Sequence, residues 1–128
     1  MTTEERLEKL ERELAKMKSE VRSKKFILAD DQGRRRTELA LMKDGSYLIM
    51  FDEKELPRIA LTVIKDVPSL DLCDEKGKVR IKLVLSEGGP SLDMRDEKGT
   101  SRASLISDKD GPMLVLFDEK GKVICHAT

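Results

Sequence analysis

The stretch from residue 70 to residue 83 determines the predicted fold and reads Leu70-Asp-Leu-Cys-Asp-Glu-Lys-Gly-Lys-Val-Arg-Ile-Lys-Leu83. Apolar and polar residues alternate on both sides of the Asp-Glu-Lys-Gly segment, which is the period of a β-strand with one buried face. Aspartate often begins a tight turn, and glycine supplies the left-handed conformation that such a turn needs at its end. The stretch therefore predicts a β-hairpin.

The same unit recurs with a period of 22 residues, over about residues 23–45, 46–67, 68–89, 90–111 and 112–128. This period predicts a domain of five hairpin repeats over residues 26–128. The hairpins are expected to join through second turns, so that about ten strands form an antiparallel meander.

A four-residue loop at residues 74–77 is expected to set the register of each hairpin. This register pairs Asp71 with Arg80 and Asp93 with Arg102 across neighbouring strands. In the second unit Glu55 stands where glycine stands in the other units, so that turn is expected to differ. The register places five apolar side chains on one face: Leu70, Leu72, Val79, Ile81 and Leu83.

Residues 3–25 are predicted to form a helix that begins with Thr3 as its cap, and residues 1–25 form the predicted oligomerisation segment. Its apolar residues alternate in steps of three and four, which is typical of a coiled-coil seam. If neighbouring helices run parallel, the flanking residues pair with opposite charge as Arg6–Glu11, Glu13–Lys18 and Glu20–Lys25, and this favours parallel self-association. The alternative is an amphipathic helix that lies on its own domain. The predicted oligomerisation residues are Leu7, Leu10, Leu14, Met17 and Val21.

The fold class expected is therefore mainly β, with a short N-terminal parallel coiled-coil helix followed by the hairpin meander. One face of the sheet is apolar and both edges are unpaired, so a trimeric β-prism-like assembly is favoured. The alternatives are a dimeric sandwich, a barrel and a parallel β-helix. The other face also carries apolar residues in units two and five, and these are predicted to form a contact surface: Ile49, Phe51, Ala60, Ile64, Val115, Phe117 and Ile124.

The composition limits the function classes. Lys and Arg number 25, as do Asp and Glu, so zero net charge gives no global attraction to nucleic acid or to an anionic membrane. No apolar window approaches the length of a membrane span, and residues 1–25 do not resemble a signal peptide. Cys73 and Cys125 fit no disulfide framework, which favours a cytoplasmic protein, whether of cellular or phage origin.

No catalytic, metal or cofactor site is predicted. Cys125 and His126 are neighbours on one strand, so their side chains should point to opposite faces and cannot form a nucleophile–base pair. The Asp108-Lys-Asp-Gly111 segment lacks the other ligands of a calcium loop and is interpreted as a turn. The sequence predicts that the protein is not an enzyme.

A basic cluster near the junction of helix and sheet is the one candidate for binding an anionic partner. Only Phe26 could stack on a base there, and the hairpin pattern places it on the apolar face. The favoured interpretation is a solvated surface. The cluster contains Arg22, Lys24, Lys25, Arg34, Arg35 and Arg36.

The unit from Leu70 to Arg80 resembles that of small uncharacterised bacterial repeat proteins, over residues 23–128. The resemblance implies an all-β repeat domain and no known activity. The function expected is a non-enzymatic oligomeric scaffold or interaction protein whose partners are copies of itself, with a trimer favoured, and an unidentified protein. The alternative is binding of nucleic acid or an anionic surface through the basic cluster.

Overall fold

The computed structural model describes residues 1–18 and 20–128 of the chain. One helix, α1, spans Thr3–Ser19 and is followed by ten strands. The strands are β1 Lys25–Ala29, β2 Arg35–Met42, β3 Gly45–Phe51, β4 Pro57–Ile64, β5 Val67–Cys73, β6 Val79–Ser86, β7 Gly89–Arg95, β8 Ser101–Asp108, β9 Gly111–Phe117 and β10 Val123–Ala127.

The strands form one antiparallel sheet in chain order, so the predicted mainly β meander is confirmed. Strands β1 and β10 are its two edges and do not pair with each other, which leaves a single open layer. The barrel is therefore wrong for one chain, and antiparallel pairing also excludes the parallel β-helix. Two-residue connections at residues 43–44, 65–66, 87–88 and 109–110 join the hairpins.

The helix begins at Thr3, as predicted, but its cap and its end differ from the prediction. Thr2, and not Thr3, is the cap: its hydroxyl accepts a hydrogen bond from the Glu5 N–H, and the Glu5 carboxylate accepts one from the Thr2 N–H. Glu20 is already extended, so Val21 lies beyond the helix. The predicted coiled-coil pair of Glu20 with Lys25 is wrong, because Lys25 begins β1.

Each hairpin turn contains a three-residue loop, and the predicted four-residue loop is wrong. In the third hairpin the Gly77 N–H donates to the Asp74 carbonyl over 3.0 Å, and the Asp74 N–H donates to the Lys78 carbonyl over 2.9 Å. One Asp74 carboxylate oxygen also accepts hydrogen bonds from the N–H groups of Lys76 and Lys78. Gly77 has φ of 78°, the left-handed conformation that follows a type I turn in loops of this length.

A β-bulge after the loop restores the alternation of faces. Cys73 pairs with Val79, but Leu72 pairs with Ile81, so Arg80 is an extra residue in its strand. Val79 consequently lies on the same face as Cys73, away from the leucines. The predicted cross-strand pairs are wrong, because Asp71 pairs with Lys82 and Asp93 pairs with Ser104.

The second turn was expected to differ, and that expectation is wrong. The Asp52 N–H donates to the Leu56 carbonyl and the Glu55 N–H donates to the Asp52 carbonyl, as in the other hairpins. Glu55 adopts φ of 60°, which costs a residue with a side chain about 1–2 kcal/mol. Its carboxylate accepts a hydrogen bond from the Arg35 N–H over 2.8 Å, which offsets part of that cost.

The bulge arginine connects successive hairpins. The Nε of Arg58, Arg80 and Arg102 donates to the carbonyl of Cys73, Arg95 and Phe117, respectively, each on the following hairpin. The same guanidinium groups lie 3.7–3.8 Å from the aspartate that opens their own turn. The recurrence of arginine is thus explained by contacts between hairpins and not by cross-strand pairs with Asp71 and Asp93.

The two faces of the sheet differ in composition. The apolar face consists of three rows of side chains that cross the strands. Its central row, here called the leucine row, is continuous from β1 to β10 through direct cross-strand neighbours. The leucine row is Phe26, Leu39, Leu48, Leu61, Leu70, Leu83, Leu92, Leu105, Leu114 and Ala127.

The opposite face, called the polar face, contains the residues that the described chain buries most deeply. Phe51 and Val115 are each 8% exposed, and Ala40 and Glu38 are buried as well. The Arg35 guanidinium covers the Phe51 ring at 4.2 Å from its centroid. The predicted contact surface of units two and five is therefore wrong at Phe51 and Val115, which the chain buries by itself, while Ile64 and Ile124 remain exposed.

Candidate functional site

The apolar face is an extended surface that no other part of the described chain covers. Six members of the leucine row are 42–49% exposed, and Leu28 and Leu41 in the flanking rows are 66% and 63% exposed. Cross-strand packing within one layer covers the sides of these residues and leaves their ends in water. The six are Phe26, Leu39, Leu61, Leu83, Leu105 and Leu114.

The exposed area of the chain is far above that of a compact monomer. The accessible surface is 10104 Å². A folded monomer of this mass exposes about 6,900 Å², so the excess is about 3,200 Å². Obligate protein–protein interfaces bury areas of this size, roughly 2,000–5,000 Å².

A shallow groove lies in the middle of the apolar face, where proline replaces larger side chains. It has a volume of 360 Å³ and lies between Pro68 and Pro90, with Leu85 beside it and leucines of the central row as its floor. No ionisable side chain lines it. Such a groove suits an apolar side chain from another surface and offers nothing to orient a polar ligand.

The helix presents a second unpartnered apolar surface. The predicted seam residues of α1 are all more than half exposed, and no contact joins α1 to a strand among the described residues. The alternative that α1 lies on its own sheet is therefore wrong for the single chain. The exposed seam residues within the helix are Leu7, Leu10, Leu14 and Met17.

Most of the basic cluster is paired with carboxylates of the same chain. Asp30 lies 2.8 Å from Arg34 and 3.6 Å from Arg36. Arg22 lies 2.9 Å from Glu20, outside the sheet. The six basic side chains do not converge on one point, because their ion pairs are made with carboxylates at separate places in the chain.

Glu38 is the carboxylate partner of two further residues of the basic cluster, Lys25 and Arg35. It is 3% exposed and lies 2.8 Å from the Lys25 ammonium, 3.5 Å from the Arg35 guanidinium and 3.0 Å from the Tyr47 hydroxyl. The Lys25 hydrogen bond lowers the pKa of Glu38, although burial opposes it, and the Tyr47 hydrogen bond adds to the lowering. The same contact raises the pKa of Lys25. This cluster fixes the first strand, β1, to β2 and β3, and Lys24 keeps an exposed side chain beside it.

A second polar cluster surrounds Asp93 on the polar face. Its carboxylate accepts hydrogen bonds from the hydroxyls of Ser101 and Ser104 and lies 2.7 Å from the Arg95 guanidinium. Burial raises the pKa of Asp93, and the hydrogen bonds from Ser101, Arg95 and Ser104 outweigh it, so the pKa is lowered overall. An ionised carboxylate with its acceptor sites occupied is a structural group.

The side chains of Cys125 and His126 lie on opposite faces of the sheet. Cys125 pairs with Leu116 on the apolar face and His126 pairs with Val115 on the polar face. Burial raises the pKa of the Cys73 thiol, which lowers its reactivity. Within residues 1–18 and 20–128, no three His, Cys, Asp or Glu side chains are grouped so as to hold a metal ion. No helix in the described part of the chain is both long enough and apolar enough to span a bilayer.

Comparison with known proteins adds no functional assignment. No protein-family model matches the chain, and no curated protein is significantly similar to it in sequence. The resemblance to small bacterial repeat proteins therefore stays a prediction from the repeat unit. The unpartnered apolar surfaces are the features on which a functional proposal can rest.

Proposed function

We propose that the protein is a non-enzymatic structural scaffold that assembles from copies of its own chain. A parallel coiled coil of α1 begins the assembly, and sheets of five repeated hairpins pack with their apolar faces inward behind it. The observation that carries this proposal is the continuous leucine row, exposed in a chain whose surface of 10104 Å² is about half as large again as a compact monomer needs.

The connection between helix and sheet constrains the assembly axis. Residues 20–24 can span at most about 18 Å when fully extended. Ten strands spaced about 4.8 Å apart extend over about 43 Å. The coiled coil must therefore lie near β1, at one end of the stack of strands, and a common axis along the stack gives a rod-shaped stalk.

We propose three chains because three inward-facing sheets close around the axis that the coiled coil also occupies. A dimeric sandwich is the alternative with the same buried face. The helix of 17 residues is about 25 Å long, which is marginal for an isolated coiled coil, so the sheets would supply most of the stability.

Binding of nucleic acid or an anionic surface has less support. Five of the six basic residues in the cluster lie beside carboxylates of the same chain. Their charge is largely compensated before any ligand arrives.

Light scattering after size exclusion tests the proposal on three proteins: the full chain, Leu14→Asp and Ala15→Asp. The two substitutions add the same charge to adjacent helix positions, and only Leu14 belongs to the seam. We expect a three-chain mass for the full chain and for Ala15→Asp, and a lower or concentration-dependent mass for Leu14→Asp. A one-chain mass for the full chain at all concentrations would refute the proposal.

A further inference from the structure

Two rows of side chains flank the leucine row on the apolar face, and the rows differ in side-chain size. The loop row lies beside the three-residue hairpin loops, and the connection row lies beside the two-residue connections. Five of the eight connection-row residues are serine or proline, whereas most loop-row residues are long and aliphatic. The loop row is Leu28, Thr37, Met50, Ile59, Leu72, Ile81, Met94, Ala103, Leu116 and Cys125. The connection row is Leu41, Ser46, Val63, Pro68, Leu85, Pro90, Ser107 and Pro112.

The two flanking residues on one strand are mostly of opposite size. Each of the strands β2 to β9 contributes one residue to either row, four positions apart. Five of these eight strands combine a long side chain in one row with a short one in the other, as in β7 with Pro90 and Met94. Strands β4 and β6 carry two branched aliphatic side chains, and β8 carries two short ones. Because the two positions lie about 13 Å apart along the strand, neither residue fills the space beside the other within one chain.

The groove of the apolar face belongs to the connection row and matches the spacing of the loop row. It lies between Pro68 on β5 and Pro90 on β7. In the loop row the same two strands carry Leu72 and Met94, and Met94 is 44% exposed. Both pairs are separated by two strands, which is about 10 Å. Long side chains in one row therefore repeat at the distance at which short ones repeat in the other.

An axis along the stack of strands brings these two rows together. Rotation about such an axis keeps each strand at the same height in every copy and places the loop row of one copy beside the connection row of the next. This holds for three sheets and for two. Reversal of one stack would instead place like rows together, and prolines facing prolines would leave a gap, which close-packed interiors avoid.

We propose that the connection row of each copy is a docking groove for the loop row of the next copy. Leu72 and Met94 of the next copy then lie over Pro68 and Pro90, and the long side chains fill the space that the prolines leave. The inference rests on the proposed scaffold and adds which rows meet in it. The size pattern of the two rows sets the height at which the copies align.

Paired cysteines test this contact, in a chain with Cys73→Ser and Cys125→Ser. The test variant adds Pro90→Cys and Met94→Cys, and each of these substitutions alone serves as a control. Dibromobimane joins two close thiolates by displacing two bromide ions, and the two positions are about 13 Å apart within one strand, so a link joins different chains. We expect a covalent three-chain product from the paired variant and no covalent product from either control.

The outcomes separate the docking groove from the scaffold. A covalent product that stops at two chains supports the docking groove and overturns the three-chain count. No link in a paired variant that keeps the mass of the assembly, or a link in either control, overturns the docking groove and leaves the scaffold standing. A one-chain mass for the unaltered protein overturns both.

Exchanging the two sizes gives a second readout that needs no cross-link. Pro90→Leu should crowd the contact and Met94→Ala should leave a gap in it, so each should lower the urea midpoint of the assembly. The double variant should lose less than the sum of the two losses, because the new leucine occupies the space that Met94 of the next copy vacates. Residues this far apart within one chain have additive effects. A double variant whose loss equals the sum would contradict the proposal.

Discussion

The two faces of the sheet share one backbone but differ in how far the chain buries their apolar side chains. The polar face buries Phe51 and Val115 and surrounds Glu38 with three hydrogen-bonding or charged groups. The apolar face has a more regular and more hydrophobic composition, yet half of each exposed leucine in its central row stays in water. Hydrophobicity alone therefore does not decide which residues a single layer can bury.

The difference arises from side-chain length and polarity. Long arginine, lysine and tyrosine side chains on the polar face can lie across their neighbours while their charged or hydroxyl ends reach a partner or water. Leucine, valine and proline are short and stand perpendicular to the sheet, so they cover one another only at their sides. The chain covers the apolar residues of the polar face by itself and leaves those of the apolar face exposed.

The largest effect is expected from placing a charge on the apolar face. Leu83→Lys puts an ammonium in the centre of the leucine row, and Val84→Lys puts one on the polar face at the next residue. If the apolar face is buried between copies, Leu83→Lys should cost more than about 3 kcal/mol per chain and dissociate the assembly. Val84→Lys should cost about 1 kcal/mol or less, because its stem can lie along the surface. Mass by light scattering and unfolding by urea measure both.

Equal losses of stability in the two lysine variants would contradict the proposed burial of the apolar face. That result would mean that both faces are equally exposed in solution, and that the leucine row packs against nothing.

A smaller effect is expected at two glycines that begin strands with the same backbone conformation. Gly89 and Gly111 both have φ of 116°, so alanine is strained at either position. A Cβ at residue 89 would also lie 2.1 Å from the Ser107 carbonyl oxygen, whereas nothing lies within 4 Å at residue 111. We expect Gly111→Ala to cost about 1–3 kcal/mol and Gly89→Ala to cost distinctly more. The urea midpoints of the two variants measure the difference, and identical midpoints would show that the neighbouring strand does not lie so close.

The smallest effect on stability is expected from replacing Glu38, the buried carboxylate of the polar face. Because contacts with Lys25 and Tyr47 hold the folded pKa of Glu38 below its unfolded value, the ionised group stabilises the fold above about pH 4, the unfolded range. This contribution is lost as the pH falls through the folded pKa. Glu38→Gln should therefore lower the urea midpoint at pH 7, and the difference from the unaltered chain should shrink below pH 4. A difference that is constant from pH 7 to pH 3 would contradict the assignment.

The strand order and the apolar rows could be predicted because the apolar–polar alternation recurs with the 22-residue period in every unit. The bulge could not be predicted in this way, because Val79, Arg80 and Ile81 alternate between apolar and polar as in a regular strand. The signal that could have revealed it is the glycine after a type I turn, which favours a three-residue loop. With that loop, only an extra residue keeps Leu72 beside Ile81.

The end of the helix and the burial on the polar face were also missed, for different reasons. No glycine or proline follows Ser19 to mark a stop, and Val21 continues the heptad spacing beyond the helix. Phe51 and Val115 look like exposed apolar residues from alternation alone. Their cover comes from other side chains on the same face, such as Arg35 over Phe51, which a strand pattern does not contain.

Thiol labelling on the two faces shows directly whether copies of the chain cover the apolar face. In a chain with Cys73→Ser and Cys125→Ser, a single cysteine is introduced as Leu83→Cys on the apolar face or as Val84→Cys on the polar face. The single chain leaves residue 83 45% exposed and residue 84 less so. If copies cover the apolar face, the thiol at residue 83 should react with a maleimide much more slowly than the thiol at residue 84, and urea should remove the protection. Faster labelling at residue 83, in proportion to its exposure in the single chain, would show that the apolar face stands open in solution.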